Sequence, residues 1–217
     1  MGEPVLIIGE SGSGKTYAIK NLDPDKVGIF LCEKSRLPFQ KKFPAYKVRN
    51  IVRADENNNV QTIRQSLVIQ SALANPTKKI YIIDDSQYVM SNEFFDRAGE
   101  GGYQKFTDIG KNFRDLVHIV NDNLPDDVIV YFLHHTEVDS NSGKTKAKTL
   151  GKMLDNQLTL EGLFAIVLYC VTDGKKHSFI TQSDGYTTAK SPMEMFPEVI
   201  DNDLKVVDKT IREYYEI

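Results

Sequence analysis

Short apolar runs alternate along this chain with longer stretches of helical spacing. The runs fall at 5–8, 27–32, 80–83 and 128–133, each bounded by polar or turn-forming residues. Continuous apolar segments of this length predict strands buried on both faces. Helical spacing is read at 15–22, which Asp23-Pro24-Asp25 stops, and at 60–74, where Val60, Ile63, Leu67, Val68 and Ala72 share a face. It is read again at 86–98 and at 106–120, where Ile109, Phe113, Leu116, Val117 and Val120 form one stripe. Two more strands are predicted at 165–172 and 176–181, joined by a tight turn at Asp173-Gly174. A last helix is predicted at 203–215, with Leu204, Val207, Ile211, Tyr214 and Tyr215 turned inward. A short strand at 51–54 precedes a turn at 55–59, and residues 34–49, 99–103 and 139–152 read as loops. Strands alternating with helices predict the α/β class: one domain over residues 1–217, a largely parallel sheet flanked by helices, with a C-terminal β-hairpin and helix.

Composition narrows the class without naming a function. Apolar residues make up 41% and charged residues 26% of the chain, an ordinary balance for a globular protein with a real core. The formal net charge of −3 provides no bulk positive field for nucleic acid, so any such contact has to be local. Cys32 and Cys170 both sit inside apolar runs, which predicts buried, reduced thiols rather than a zinc site. No secretory leader and no membrane-length apolar run is visible, so a cytoplasmic protein without a membrane partner is expected.

The chemistry is concentrated just after the first strand. Gly9-Glu10-Ser11-Gly12-Ser13-Gly14-Lys15-Thr16 fits G-x-x-x-x-G-K-[ST]. In that pattern Gly9, Gly12 and Gly14 let backbone N–H groups, with those of Ser11 and Ser13, converge on a phosphate. Lys15 then reaches the β- and γ-phosphate oxygens, Thr16 sets a hydroxyl on Mg²⁺, and the helix expected next points its positive end at the nucleotide. Residues 79–85 give the second signal, an apolar run followed by acids, in which Asp84 at the strand tip would order the Mg²⁺ hydration shell. ATP and Mg²⁺ are therefore the expected ligands. Glu33 and Asp85 compete for the role of general base, since each stands just beyond a predicted strand. His134 and His135 follow the strand at 128–133, where a polar residue can contact a γ-phosphate. Lys144, Lys146 and Lys148 would share one face if extended, suited to a phosphodiester backbone. Residues 34–49 mix lysines with aromatic side chains, as a loop covering the sheet or a partner surface would.

This order of motifs resembles the RecA-like ATPase core, and more narrowly the RecA-like ATP-binding proteins that phages carry among their recombination genes. The likeness extends to Lys148-Thr149-Leu150-Gly151-Lys152-Met153-Leu154, Glu161-Gly162-Leu163-Phe164, Thr188-Ala189-Lys190-Ser191-Pro192 and Ile200-Asp201-Asn202-Asp203-Leu204. It implies ATP hydrolysis coupled to single-stranded DNA in recombination or replication. It also implies a homo-oligomer, the host cytoplasm, and a single-strand-binding or annealing protein as a partner. By the same resemblance Glu33 would be the catalytic carboxylate, and His134 or His135 would replace a sensor that is usually glutamine. The loops at 99–103 and 139–148 would contact DNA, and Lys146, Lys148 or Lys190 would act across a subunit boundary. The Asp84-Asp85 pair departs from the single acid of the RecA pattern and keeps Asp85 in contention. Two other readings stay open. A nucleotide-dependent adaptor or helicase loader would need a protein partner. A small-molecule kinase would need late arginines to clamp the transferred phosphate, and after Arg114 the chain has only Arg212.

Overall fold

The computed structural model describes residues 1–33, 36–54, 60–140 and 142–217. The predicted turn at 55–59, like Lys34 and Ser35, lies outside the described residues. The chain is α/β, with a mostly parallel central sheet flanked by helices. Strands β1 (Glu3–Gly9), β2 (Val27–Leu31), β3 (Ala45–Lys47), β6 (Ile80–Asp84), β7 (Ile129–Val138) and β9 (Ile166–Thr172) run parallel in the order β3-β2-β6-β7-β1-β9. The antiparallel strand β10 (His177–Ile180) follows β9 through the predicted tight turn, and β11 (Val199–Asp201) closes that edge. This order brings the carboxyl ends of β1, β6 and β7 side by side, where open α/β sheets hold their ligands.

Alternation along each strand builds two cores. Leu6, Ile8, Ile83, Val130 and Phe132 face α1 (Gln65–Leu73), α2 (Gln87–Asp96) and α3 (Gln104–Asn123), where Phe113, Leu116 and Val120 are fully buried. The one-turn helix α4 (Lys152–Asp155) adds Leu154 to that core, whereas Val5, Ile7, Ile82, Tyr131 and Leu133 face the other side, against a 3₁₀ turn at Thr16–Asn21 and α5 (Leu204–Tyr215). Each such side chain stabilises the fold by roughly 1.5–3 kcal/mol.

Five expectations change. The stretch at 34–49, expected as a loop, contributes the short edge strand β3 at Ala45–Lys47. The segment after Lys15 is a six-residue 3₁₀ turn rather than an α-helix, so its dipole adds little. The predicted helix at 60–74 divides: Val60–Ile63 is strand β5, paired antiparallel with β4 (Ile51–Ala54), and α1 begins only after an extended Arg64. β-Branched Val60, Thr62 and Ile63 favour the strand. Strand β7 does not stop at Leu133 but runs to Val138, because β8 (Thr145–Ala147) folds back on it and pairs Glu137 with Lys146. In α5 the inward stripe ends at Ile211. Tyr214 and Tyr215 reach the surface, whereas Asp208 is buried and ion-paired to Arg212.

Candidate functional site

The glycine-rich loop leaves β1 at Gly9 and turns twice through left-handed backbone, at Gly12 (φ 82°) and Gly14 (φ 104°). A side chain at Gly14 would be strained by that φ and would also meet the His177 ring at 2.8 Å. The loop is held from inside and from outside. The Ser13 N–H donates to the Glu10 carbonyl at 3.2 Å, while the Ser13 carbonyl accepts from His177 Nδ1 at 2.7 Å and from the Cys170 thiol at 3.1 Å. Lys15 is only 6% exposed, and its ammonium donates to the Gly9 carbonyl at 2.7 Å and the Glu10 carbonyl at 2.9 Å. The Thr16 hydroxyl donates to Asp84 Oδ1 at 2.9 Å, joining residues that stand 68 apart in the chain. A cavity of about 290 Å³ opens over this arrangement, lined by Ser11, Gly12, Lys15, Thr16, His135 and His177 among others.

The candidate acids have separate fates. Asp84 is buried at the end of β6. Asp85 is 2% exposed and takes a left-handed backbone, φ 59°, which aspartate tolerates better than most residues but still at a cost of about 1 kcal/mol. That turn swings Ser86 back so that its N–H donates to the Leu133 carbonyl at 2.8 Å, and α2 starts at the next residue. Asp85 Oδ1 lies 3.2 Å from His135 Nε2. Glu33 is exposed and lines a different cavity, with Arg49, Asn92 and Asp96. The Arg49 guanidinium donates to the Glu33 and Val48 carbonyls and is also bonded to that of Cys32.

The two adjacent histidines point to opposite faces of β7. His134 is fully buried, in edge contact with Phe113. Its Nε2 donates to the Lys148 carbonyl at 2.7 Å, which leaves Nδ1 to accept the Ser86 hydroxyl at 2.8 Å. Burial pulls its pKa down to about 4. It is thus a neutral tie between β7 and the segment after β8, set away from the loop cavity. His135 lies across the sheet from Gly9 and lines that cavity instead.

The lysine row is broken up. Lys144 and Lys148 are exposed, but the Lys146 ammonium is 2.7 Å from Asp155, 3.4 Å from Glu137 and 3.8 Å from Asp139. Lys190 pairs through its backbone with Val167, and residues 99–103 are exposed. His177 and Cys170, which hold the loop from β10 and β9, were not visible as functional residues in the sequence, because their contact spans more than 150 positions. No family model matches the chain, and no curated protein matches it. Among the described residues no helix is long and apolar enough to cross a membrane.

Proposed function

We propose that the chain is a RecA-like P-loop ATPase that binds Mg·ATP on the glycine-rich loop and acts with single-stranded DNA in phage recombination or replication. The observation that carries the ATP reading is the 2.9 Å bond from Thr16 to Asp84. It unites the hydroxyl and the carboxylate that Mg²⁺ would need, beside a loop whose glycines leave backbone open to phosphate oxygens. Among the described residues no cluster of three or more His, Cys, Asp or Glu could hold a metal alone. That is compatible with Mg²⁺, which takes one or two protein ligands and draws the rest from phosphates and water. The residues present therefore fit the group: Thr16 and Asp84 toward the metal, Lys15 toward the phosphates. Bound Mg²⁺ would supply charge neutralisation between the β- and γ-phosphates. Lys15 donates to two loop carbonyls, bonds that phosphate oxygens would replace on binding.

The DNA part of the reading rests on exposed Lys144 and Lys148, which flank β8 on the carboxyl side of the sheet. The test is ATPase rate with and without single-stranded DNA, together with calorimetry of Mg·ATP binding, for the parent and for Lys15→Ala. The expected result is binding and DNA-stimulated turnover in the parent, both almost lost in the variant. A parent that is folded but gives no heat with Mg·ATP sinks the proposal. A parent that binds and hydrolyses ATP, is indifferent to DNA, and captures a protein in its ATP state turns it toward the adaptor.

A further inference from the structure

We infer that His135 is the catalytic base for attack on the loop-bound triphosphate, and that Asp85 acts through it, as the residue that positions its ring. This rests on the triphosphate reading and assigns a role that neither Glu33 nor Asp85 fills directly.

The argument begins with strand order. Strand β7 is the immediate neighbour of β1, and His135 pairs with Gly9, where the glycine-rich loop begins. The alternation that buries His134 toward α3 turns His135 to the face of Leu133 and the 3₁₀ turn that starts at Thr16. His135 therefore lines the cavity together with Lys15 and Thr16. Glu33, by contrast, follows β2, with β6 and β7 standing between that strand and β1. It lines another cavity.

The ring is also prepared. Its Nε2 faces Asp85 Oδ1 at 3.2 Å, a hydrogen bond that orients the ring and turns Nδ1 away from the carboxylate. The backbone on either side is pinned: the His135 N–H donates to Gln87 Oε1 at 3.2 Å, and the His135 carbonyl accepts from the Lys148 N–H at 2.9 Å. Asp85 is buried and lies behind the ring rather than in the lining of the cavity. This is the base-plus-orienter arrangement of acid–base catalysis.

In the step, the oxygen of water forms a bond to the γ-phosphorus while the bond from that phosphorus to the β,γ-bridging oxygen breaks. ADP leaves with the bridging oxygen, and the proton of the water passes to His135 Nδ1. The imidazolium so formed is stabilised by the Asp85 carboxylate, and its proton returns to solvent or to product phosphate.

The experiment compares His135→Ala, His135→Asn, Asp85→Asn and Glu33→Gln with the parent by Mg·ATP calorimetry, by single-turnover hydrolysis, and by ¹⁵N chemical shifts of the imidazole nitrogens without nucleotide. Both His135 variants should keep Mg·ATP affinity within about threefold and lose about 100-fold or more in the hydrolytic step. Asp85→Asn should keep affinity, lose turnover, and convert the single Nε2–H tautomer of His135 into a mixture, which a merely structural role would not do. Glu33→Gln should hydrolyse within about twofold of the parent. His135→Asn covers the case in which the alanine variant does not fold. The inference is overturned by near-parent turnover in the His135 variants, by an unchanged tautomer in Asp85→Asn, by a larger loss in Glu33→Gln, or by a parent that binds Mg·ATP without hydrolysing it. A parent that does not bind Mg·ATP removes the triphosphate reading and this inference with it.

Discussion

Two strands of the sheet run into acids, and the fold treats them oppositely. At the end of β6, Asp84 and Asp85 are buried, one bonded to Thr16 and the other to His135. After β2, Glu33 stands exposed, and it is the carbonyl of that residue that Arg49 holds. In the sequence both sites look alike, an apolar run followed by a carboxylate. The difference lies in the neighbours. β6 borders β7, which borders β1, so its tip is enclosed by the loop and by His135; β2 lies one strand further out, beside the short edge strand β3. A strand-tip acid gains chemistry from what the sheet order sets beside it.

The sharpest way to break this comparison is to neutralise the two tips in turn. Asp84→Asn keeps the shape and an acceptor for Thr16 but removes the charge that would face a metal. It should lower Mg·ATP affinity or turnover by about 10–100-fold, the range seen when groups that support a metal are removed. Glu33→Gln should leave both within about twofold. Comparable losses in the two variants, read by calorimetry and a phosphate-release assay, would mean that burial at the β6 tip has nothing to do with the site.

Much of this contrast was legible in advance and some was not. The order of strands and helices, the loop and the Asp84 tip follow from apolar runs and from one motif whose residues are contiguous. The choice between His134 and His135 stayed open in the sequence; the structure buries His134 toward α3 and leaves His135 to line the cavity. What local pattern could not reveal are pairings made at a distance. The extension of β7 to Val138 depends on β8, which lies beyond a polar loop. The anchoring of Ser13 by Cys170 and His177 depends on β9 and β10 arriving beside β1. Lys146 reads as one of three surface cations, yet Asp155, Glu137 and Asp139 surround it. Val60–Ile63 fits helical spacing as well as strand composition, and its partner Ile51–Ala54 decides the matter.

A second, smaller effect separates the two histidines. His134 is held neutral by burial, with its pKa near 4, against about 6.5 for the unfolded chain. The unfolded state therefore takes up a proton between about pH 6.5 and pH 4 that the folded state refuses. The contribution of His134 to stability is intact above pH 6.5 and is lost as the pH falls toward 4, by about 3 kcal/mol in all. His134→Gln should remove that contribution, so that the variant gains on the parent as the pH falls, measured as denaturant midpoints at pH 7 and pH 4.5. Its cost at pH 7 should be about 1–3 kcal/mol, from the Lys148 and Ser86 bonds it disturbs. An unchanged pH slope would show that the ring is not closed off as the sheet geometry requires.

The smallest effect comes from the opposite end of β1 and has the opposite sign. Glu3 has a carboxylate oxygen buried without a hydrogen-bond partner, and burial raises its pKa to about 7, from 4.5. Here the folded state holds a proton that the unfolded state releases, so the contribution of Glu3 is present below pH 4.5 and is lost as the pH rises through 7. Between pH 4.5 and 6.5 the two groups therefore oppose each other, and the parent should vary less in stability across that window than a chain carrying His134 alone. Removing one should unmask the other. Glu3→Gln should gain about 1–2 kcal/mol at pH 8, less than the full shift because the side chain is only partly shielded from water. It should also become visibly acid-sensitive between pH 6.5 and 4.5, where only His134 remains. The complementary variant, His134→Gln, should grow more stable over the same fall in pH. If Glu3→Gln gains nothing at pH 8 and keeps the pH profile of the parent, then the amino end of β1 is wetter than its packing implies. The buried network would then be confined to the carboxyl edge, where Asp84, Asp85 and His135 meet.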